Sequence, residues 1–201
     1  MPPSEKALAT RERILSAATE LFYRQGYHAT GLDKVIRAAG VTKGNFYYHF
    51  SSKEELALAT LERQYGLLSR EVRDEVLGRG LPPLETLFLL LDHMVGRQKQ
   101  QHREGQILGC YFGNFALEFS TVSGEVRKKV SQIFQGYAEL IAALLKRAQK
   151  AGEISQALDV ERFAAVILGQ IEGAILLDKA GQEPGNFQNG VDFIKHYLET
   201  C

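Results

Sequence analysis

The chain has 201 residues, 45% apolar and 24% charged, with 24 basic and 24 acidic side chains that cancel to a formal net charge of zero. That is ordinary globular composition, enough for one substantial core or for a small module joined to a larger one, and the balance of charge does not by itself point to a nucleic-acid partner. The first 60 residues carry eight Lys/Arg against six Asp/Glu, the remainder sixteen against eighteen, an asymmetry too weak to argue from.

Almost every segment reads as helix. Ile14, Leu15, Ala18, Leu21 and Phe22 form one stripe of a 3.6-residue period, which Gly26 stops. Leu32 to Ala39 is a short second helix, with Thr30 placed to cap it and Gly40 to end it. A third covers Lys43 to Phe50. Ser52 then caps a long fourth helix, where Glu55 completes a capping-box pattern and the apolar stripe runs Leu61, Tyr65, Leu68, Val72, Val76. Gly78, Gly80, Pro82 and Pro83 make the next break. Further helices are predicted over about Pro83 to Gln100, Ile107 to Phe119, Val126 to Ala148, Glu161 to Lys179 with Asp159 as cap, and Phe187 to Leu198. No alternating strand pattern interrupts them, so the expected fold is all-α with about nine helices.

Cys110 and Cys201 read as idle thiols in a reducing compartment rather than a secreted disulfide scaffold. No cysteine or histidine cluster has metal-ligand spacing, so no metal and no cofactor is expected. The start, MPPSEKALATRER, carries charges where a signal peptide needs an apolar run. The longest apolar stretch, Leu84 to Val95, is broken by Glu85, Asp92 and His93 and is too short to span a bilayer. The expectation is a cytoplasmic protein with no membrane partner.

Residues 30–50, TGLDKVIRAAGVTKGNFYYHF, carry the functional signal. Leu32, Val35, Ile36 and Ala39 face inward, Gly40 supplies a left-handed turn, and Val41 fills the angle between two helices. A short glycine turn between steeply crossed helices is the mark of a helix-turn-helix. Thr42 stands at the N-cap of the second helix, which is short enough to lie in a major groove. Phe46 and Phe50, four apart, anchor it from behind, leaving Lys43, Gly44, Asn45, Tyr47, Tyr48 and His49 on its other faces. Glycine within a helix costs about 1 kcal/mol relative to alanine, so Gly44 suggests a close backbone approach. Asn45 can present a donor and an acceptor to an adenine edge. Tyr48, His49 and Lys53 have polar or cationic tips suited to phosphates.

From about Thr10 to Leu61, and above all in GYHATGLDKVIRAAGVTKGNFYYHFSSKEEL, the sequence resembles the TetR/AcrR (tetracycline-repressor) family of transcriptional regulators. The resemblance implies a homodimer that binds a palindromic double-stranded operator through two such modules, and no enzyme activity. It implies residues 1–55 as the DNA-binding domain, joined by a continuous helix to residues 56–201 as the effector-binding and dimerisation domain. Carried over position by position, Thr42, Lys43, Gly44, Asn45 and Tyr47 would meet bases or flanking phosphates, and Thr30, Tyr48, His49 and Lys53 would hold the backbone. Gly31 departs from the pattern, which commonly has a hydroxyl residue there.

Beyond residue 61 the resemblance is one of helix count and order. A pocket among the fifth to eighth helices would have Phe88, Leu91, Met94, Tyr111, Phe115 and Phe134 among its walls. Tyr137, Ile167 and Ile171 complete them, with His93, Asn114 and Gln170 as orienting groups; packing in an ordinary core is the competing reading for each apolar member. Small residues at four-residue steps on the eighth helix (Ala165, Gly169, Gly173) and the apolar face of the ninth suit a two-fold contact. Two readings stay open: a repressor released by a small-molecule effector, or a DNA-binding regulator or architectural protein without one.

Overall fold

Nine α-helices and no strand occur among the described residues, 4–119, 121 and 123–200, of the computed structural model. They are α1 (Glu5–Gln25), α2 (Leu32–Ala38), α3 (Lys43–His49), α4 (Lys53–Glu75), α5 (Pro83–Arg103), α6 (Tyr111–Phe119), α7 (Gly124–Lys150), α8 (Val160–Gly181) and α9 (Asn186–Thr200). Among these residues no helix is long and apolar enough to cross a membrane. Cys201 lies outside the described residues.

Capping chemistry sets most of the boundaries. The Asp159 carboxylate accepts from Arg162 N at 3.1 Å to open α8, as its position predicts. Ser52 Oγ accepts from Glu55 N at 3.0 Å at the start of α4, but the returning Glu55 carboxylate grips Ser51 N and Oγ instead, at 2.7 and 2.6 Å. The cap of α2 is Gly31, without a side-chain bond, and not Thr30. The sixth helix starts at Tyr111 rather than Ile107. Gly105 and Gly109 take positive φ (99° and 83°), and the side-chain amide of Gln182 bonds both backbone groups of Ile107 at 3.0 Å, so after a turn at 104–105 the segment 106–110 is held out of helix.

The chain divides into two compact units; of the three points at which it passes from one to the other, two fall inside α4 and α7 and the third falls between Cys110 and Tyr111, at the start of α6. The first unit comprises the chain up to Leu68 together with Tyr111–Ser131. Its core joins Ile14, Leu15, Ala18 and Phe22 of α1 to Val35, Phe46, Phe50, Leu56 and Leu61, all essentially without exposure. Rings of α6 complete it: Phe115 lies 6.1 Å from Phe22 and stacks at 5.5 Å on Phe119, while Tyr111 meets Tyr23 at 5.4 Å. This packing unit is wider than residues 1–55, because Tyr111, Phe115 and Phe119 repeat at four-residue steps and present one aromatic face to α1.

The second unit comprises Ser69–Cys110 and the chain from Gln132 onward. One core runs through Leu87, Leu91 and Val95 of α5, Ile141, Leu144 and Leu145 of α7, Ile167 and Ile171 of α8, and Val191 and Ile194 of α9. α8 packs along α9, and α9 along α5. Asp178, fully buried, is satisfied by Asn186 N, Asn186 Nδ2 and Phe187 N at 2.8–3.1 Å, so it caps α9 from the end of α8.

Candidate nucleic-acid interface

The turn between α2 and α3 closes by two backbone bonds. Val41 N donates to Ile36 O at 3.2 Å and Gly40 N to Arg37 O at 3.1 Å, with Gly40 at φ +62°. This paired arrangement ends a helix on a left-handed residue, which glycine adopts without a Cβ clash. Thr42 then opens α3, its Oγ1 accepting from Asn45 N at 3.2 Å. Phe46 and Phe50 are buried behind α3, and the Arg11 guanidinium lies 5.0 Å over the Phe50 ring.

The outward side is open. Thr42, Lys43, Gly44, Asn45, Tyr47 and Tyr48 are exposed, Tyr48 at 75%. A Cβ added to Gly44 would meet nothing within 4 Å, so no neighbour in this chain requires glycine there. His49 is half-buried; burial first, and the Arg11 charge second, lower its pKa, so near neutral pH it offers a hydrogen bond rather than a charge.

Two residues expected at phosphates have other work. Thr30 is fully buried, its hydroxyl donating to Gly26 O at 2.7 Å, because the chain turns there and needs a local donor for that carbonyl. Lys53 folds back: its Nζ donates to Tyr27 O at 2.6 Å and lies 3.9 Å over the Tyr27 ring, and burial lowers its pKa.

The residues expected around a pocket are divided between the two units. Tyr111, Asn114 and Phe115 belong to the first unit, and the Tyr111 hydroxyl donates to Thr60 Oγ1 at 3.0 Å, with burial raising its pKa. In the second unit Leu91, Ile167 and Ile171 are core, Phe88 and Met94 pack against that core, and Phe134 and Tyr137 are half-buried. Gln170 Nε2 donates to Gly190 O at 3.2 Å, tying α8 to α9. His93 Nε2 lies 2.9 Å from Glu71 Oε1, and Arg97 pairs with the other oxygen of the same carboxylate. Burial would raise the Glu71 pKa, but its bonds and charge contacts with Arg97 and His93 outweigh that and lower it. Glu71, Glu75 and His93 place ligand atoms within 4.8 Å of one another, a grouping invisible in the spacing of the sequence, though Arg97 already balances one of its charges.

Three polar groups escaped the sequence reading. Gln98 on α5 is buried, and its Nε2 has no hydrogen-bond partner. Glu172 on α8 has its pKa raised by burial, with a hydrogen bond to Cys110 opposing the shift. Glu118 on α6 binds backbone of the loop before α2. Glu172 carries a weak signal in sequence, as an acid inside an apolar helical run; Gln98 carries none, since it stands in the polar run GRQKQQHRE, and neither does Glu118, whose partners lie about 90 residues away.

Comparison with known proteins agrees with this geometry. The family profile described as bacterial regulatory proteins, tetR family, matches residues 14–60, and that described as Tetracyclin repressor-like, C-terminal domain, matches residues 83–193. The chain is 30% identical over 191 residues to an HTH-type transcriptional regulator in the lacX 3' region of Lactococcus lactis, covering 94% of this chain and 93% of that one. It is 28% identical over 166 residues to the HTH-type transcriptional repressor DhaR of a Mycobacterium species, covering 83% and 80%. A TetR transcriptional regulator from Chloroflexus aurantiacus, known from a crystal structure, superposes with TM-score 0.85 at 27% identity, covering 97% and 96%. The chain belongs to the tetR family of bacterial regulatory proteins, and is a DNA-binding transcriptional regulator rather than an enzyme.

Proposed function

We propose that this regulator is a cytoplasmic repressor that holds a palindromic operator as a homodimer and releases it when a small molecule binds. The observation that carries the reading is α3 itself: Lys43, Gly44, Asn45, Tyr47 and Tyr48 lie in solvent on a helix pinned from behind by Phe46 and Phe50. Residues 1–55 are the DNA-binding domain in this reading, and 56–201 the effector-binding and dimerisation domain. Asn45 reads a base edge; Thr42, Lys43, Tyr47, Tyr48 and His49 hold flanking phosphates, and Gly44 lets the backbone approach. Two similar proteins, DhaR and NemR of Escherichia coli, are transcriptional repressors by name, which favours repression.

The test compares two substitutions on an operator selected by the wild-type protein from random duplexes. Asn45→Ala costs about 1–3 kcal/mol on the operator and relaxes one base position per half-site. Lys43→Ala weakens all duplexes alike and flattens the salt dependence. Equal losses on operator and random DNA for both variants overturn the assignment.

Regulators of this family act on DNA as dimers. For this chain α8 and α9 are the proposed contact. Val166 and Leu177 of α8 (both 59% exposed) and Phe193 of α9 (61%) leave an apolar face uncovered, and an added Cβ at Gly169 or Gly173 would meet nothing within 4 Å. Small residues at four-residue spacing admit a close helix from a second copy, and an isologous contact repeats each residue across the two-fold axis.

The effector site belongs to the second unit, near Phe88, Leu91, Met94, Phe134, Tyr137, Ile167 and Ile171. Gln98 supports it: a buried amide donor without an acceptor costs about 1–3 kcal/mol, which a ligand oxygen would recover.

A further inference from the structure

Glu118 lies near the end of α6, inside the stretch that matches the C-terminal profile, yet its carboxylate grips the loop that leads into the helix-turn-helix. Its oxygens accept from consecutive backbone amides, Oε1 from Tyr27 N at 3.0 Å and Oε2 from His28 N at 2.8 Å. Such charge-assisted bonds are about twice as strong as neutral ones, and two from one rigid group fix orientation as well as distance. Gly26 leaves the room this needs: its φ is +81°, and a Cβ there would stand 3.0 Å from Glu118 Oε1.

Other groups close around the same loop. His28 Nε2 lies 3.3 Å from Glu118 O, and its ring stacks on Phe119 at 5.6 Å. The Tyr27 ring lies 4.4 Å from Phe119, and Lys53 at the start of α4 holds the Tyr27 carbonyl from another direction. Thr30 ties the loop to Gly26 O. Leu32, the first residue of α2, follows two positions later, and α2 packs on α3.

We propose that Glu118 is a positioning residue for operator recognition: α6, together with α4, sets the loop 26–30 and so the orientation in which α2 and α3 are offered to DNA. The proposal rests on the DNA-binding reading above. It separates cleanly from the ordinary role of a surface acid, because the two have opposite signs. A carboxylate that merely adds negative charge opposes every duplex, so removing it strengthens binding to all DNA through the phosphate term. A positioning carboxylate, once removed, weakens the operator alone and lowers the ratio of specific to non-specific affinity.

The experiment uses the full chain and the operator selected by the wild type. Glu118→Ala lowers operator affinity about tenfold, leaves random-sequence DNA unchanged or slightly tighter, and speeds hydrogen exchange at the Tyr27 and His28 amides while α1 core amides stay protected. Glu118→Gln keeps the shape and one acceptor oxygen, so it recovers part of the loss; it also decides the matter if the alanine variant folds poorly. Operator and random DNA tightening together, or unchanged operator affinity with both amides still protected, overturns the proposal. Loss of operator preference with Asn45→Ala but not with Glu118→Ala sinks this inference alone, whereas a wild type without operator preference sinks the DNA-binding reading.

Discussion

On α3, Tyr47 and Tyr48 stand in solvent beside Lys43, Gly44 and Asn45; on α8 and α9, Val166, Leu177 and Phe193 stand in solvent beside Gly169 and Gly173. Both faces expose large side chains on helices whose opposite sides are buried. On α3, however, the exposed rings end in hydroxyls and their neighbours donate or accept hydrogen bonds, so water satisfies the face until a charged, hydrogen-bonding surface replaces it. The α8–α9 face offers carbon with few polar tips, and only another apolar surface improves on water there. Exposure alone therefore says little about a partner. The chemistry of the exposed tips separates a polyanion from a second copy of the chain.

The comparison breaks most visibly where each face is anchored. Phe46→Ala removes a fully buried ring behind α3 and costs about 3–5 kcal/mol in denaturant unfolding. If stability is unchanged, α3 is not pinned as described. Phe193→Asp places a charge on the second face; a central interface residue is worth about 2 kcal/mol or more, counted twice across a two-fold axis. Sedimentation then shows monomer where the wild type is dimeric, and a dimer that survives the change moves the contact elsewhere. The smallest effect sharpens the second unit. Gln98→Leu removes the unpartnered buried amide, raises unfolding stability by about 1 kcal/mol, and abolishes the melting shift of any metabolite that stabilises the wild type. An undiminished shift takes Gln98 out of the effector site.

The helix-turn-helix was readable because its determinants are local. Gly40, Thr42 and the pair Phe46/Phe50 act within a few positions of themselves, and the observed α2 and α3 each end one residue short of the predicted limit. The place of Thr30 was less legible, because the same hydroxyl that suits a phosphate also suits a nearby carbonyl, and here it donates to Gly26 O. The unit that Tyr111, Asn114 and Phe115 join was not legible for a different reason. Their helical period is plain, but which unit α6 joins depends on Phe22, Tyr23 and Tyr27, about 90 residues earlier.

From the order of residues alone came the all-α class, the number of helices, the glycine turn and the outward set on α3, since hydrophobic period and capping act over one or two turns of chain. The tertiary structure alone decided that α6 packs with the DNA-binding helices, that Lys53 and Glu118 hold the Tyr27–His28 loop, and that the Gln98 Nε2 donor is buried without a partner. A hydrogen bond or a ring contact is set by which groups meet in space, and for groups far apart in the chain that meeting is a property of the packed whole.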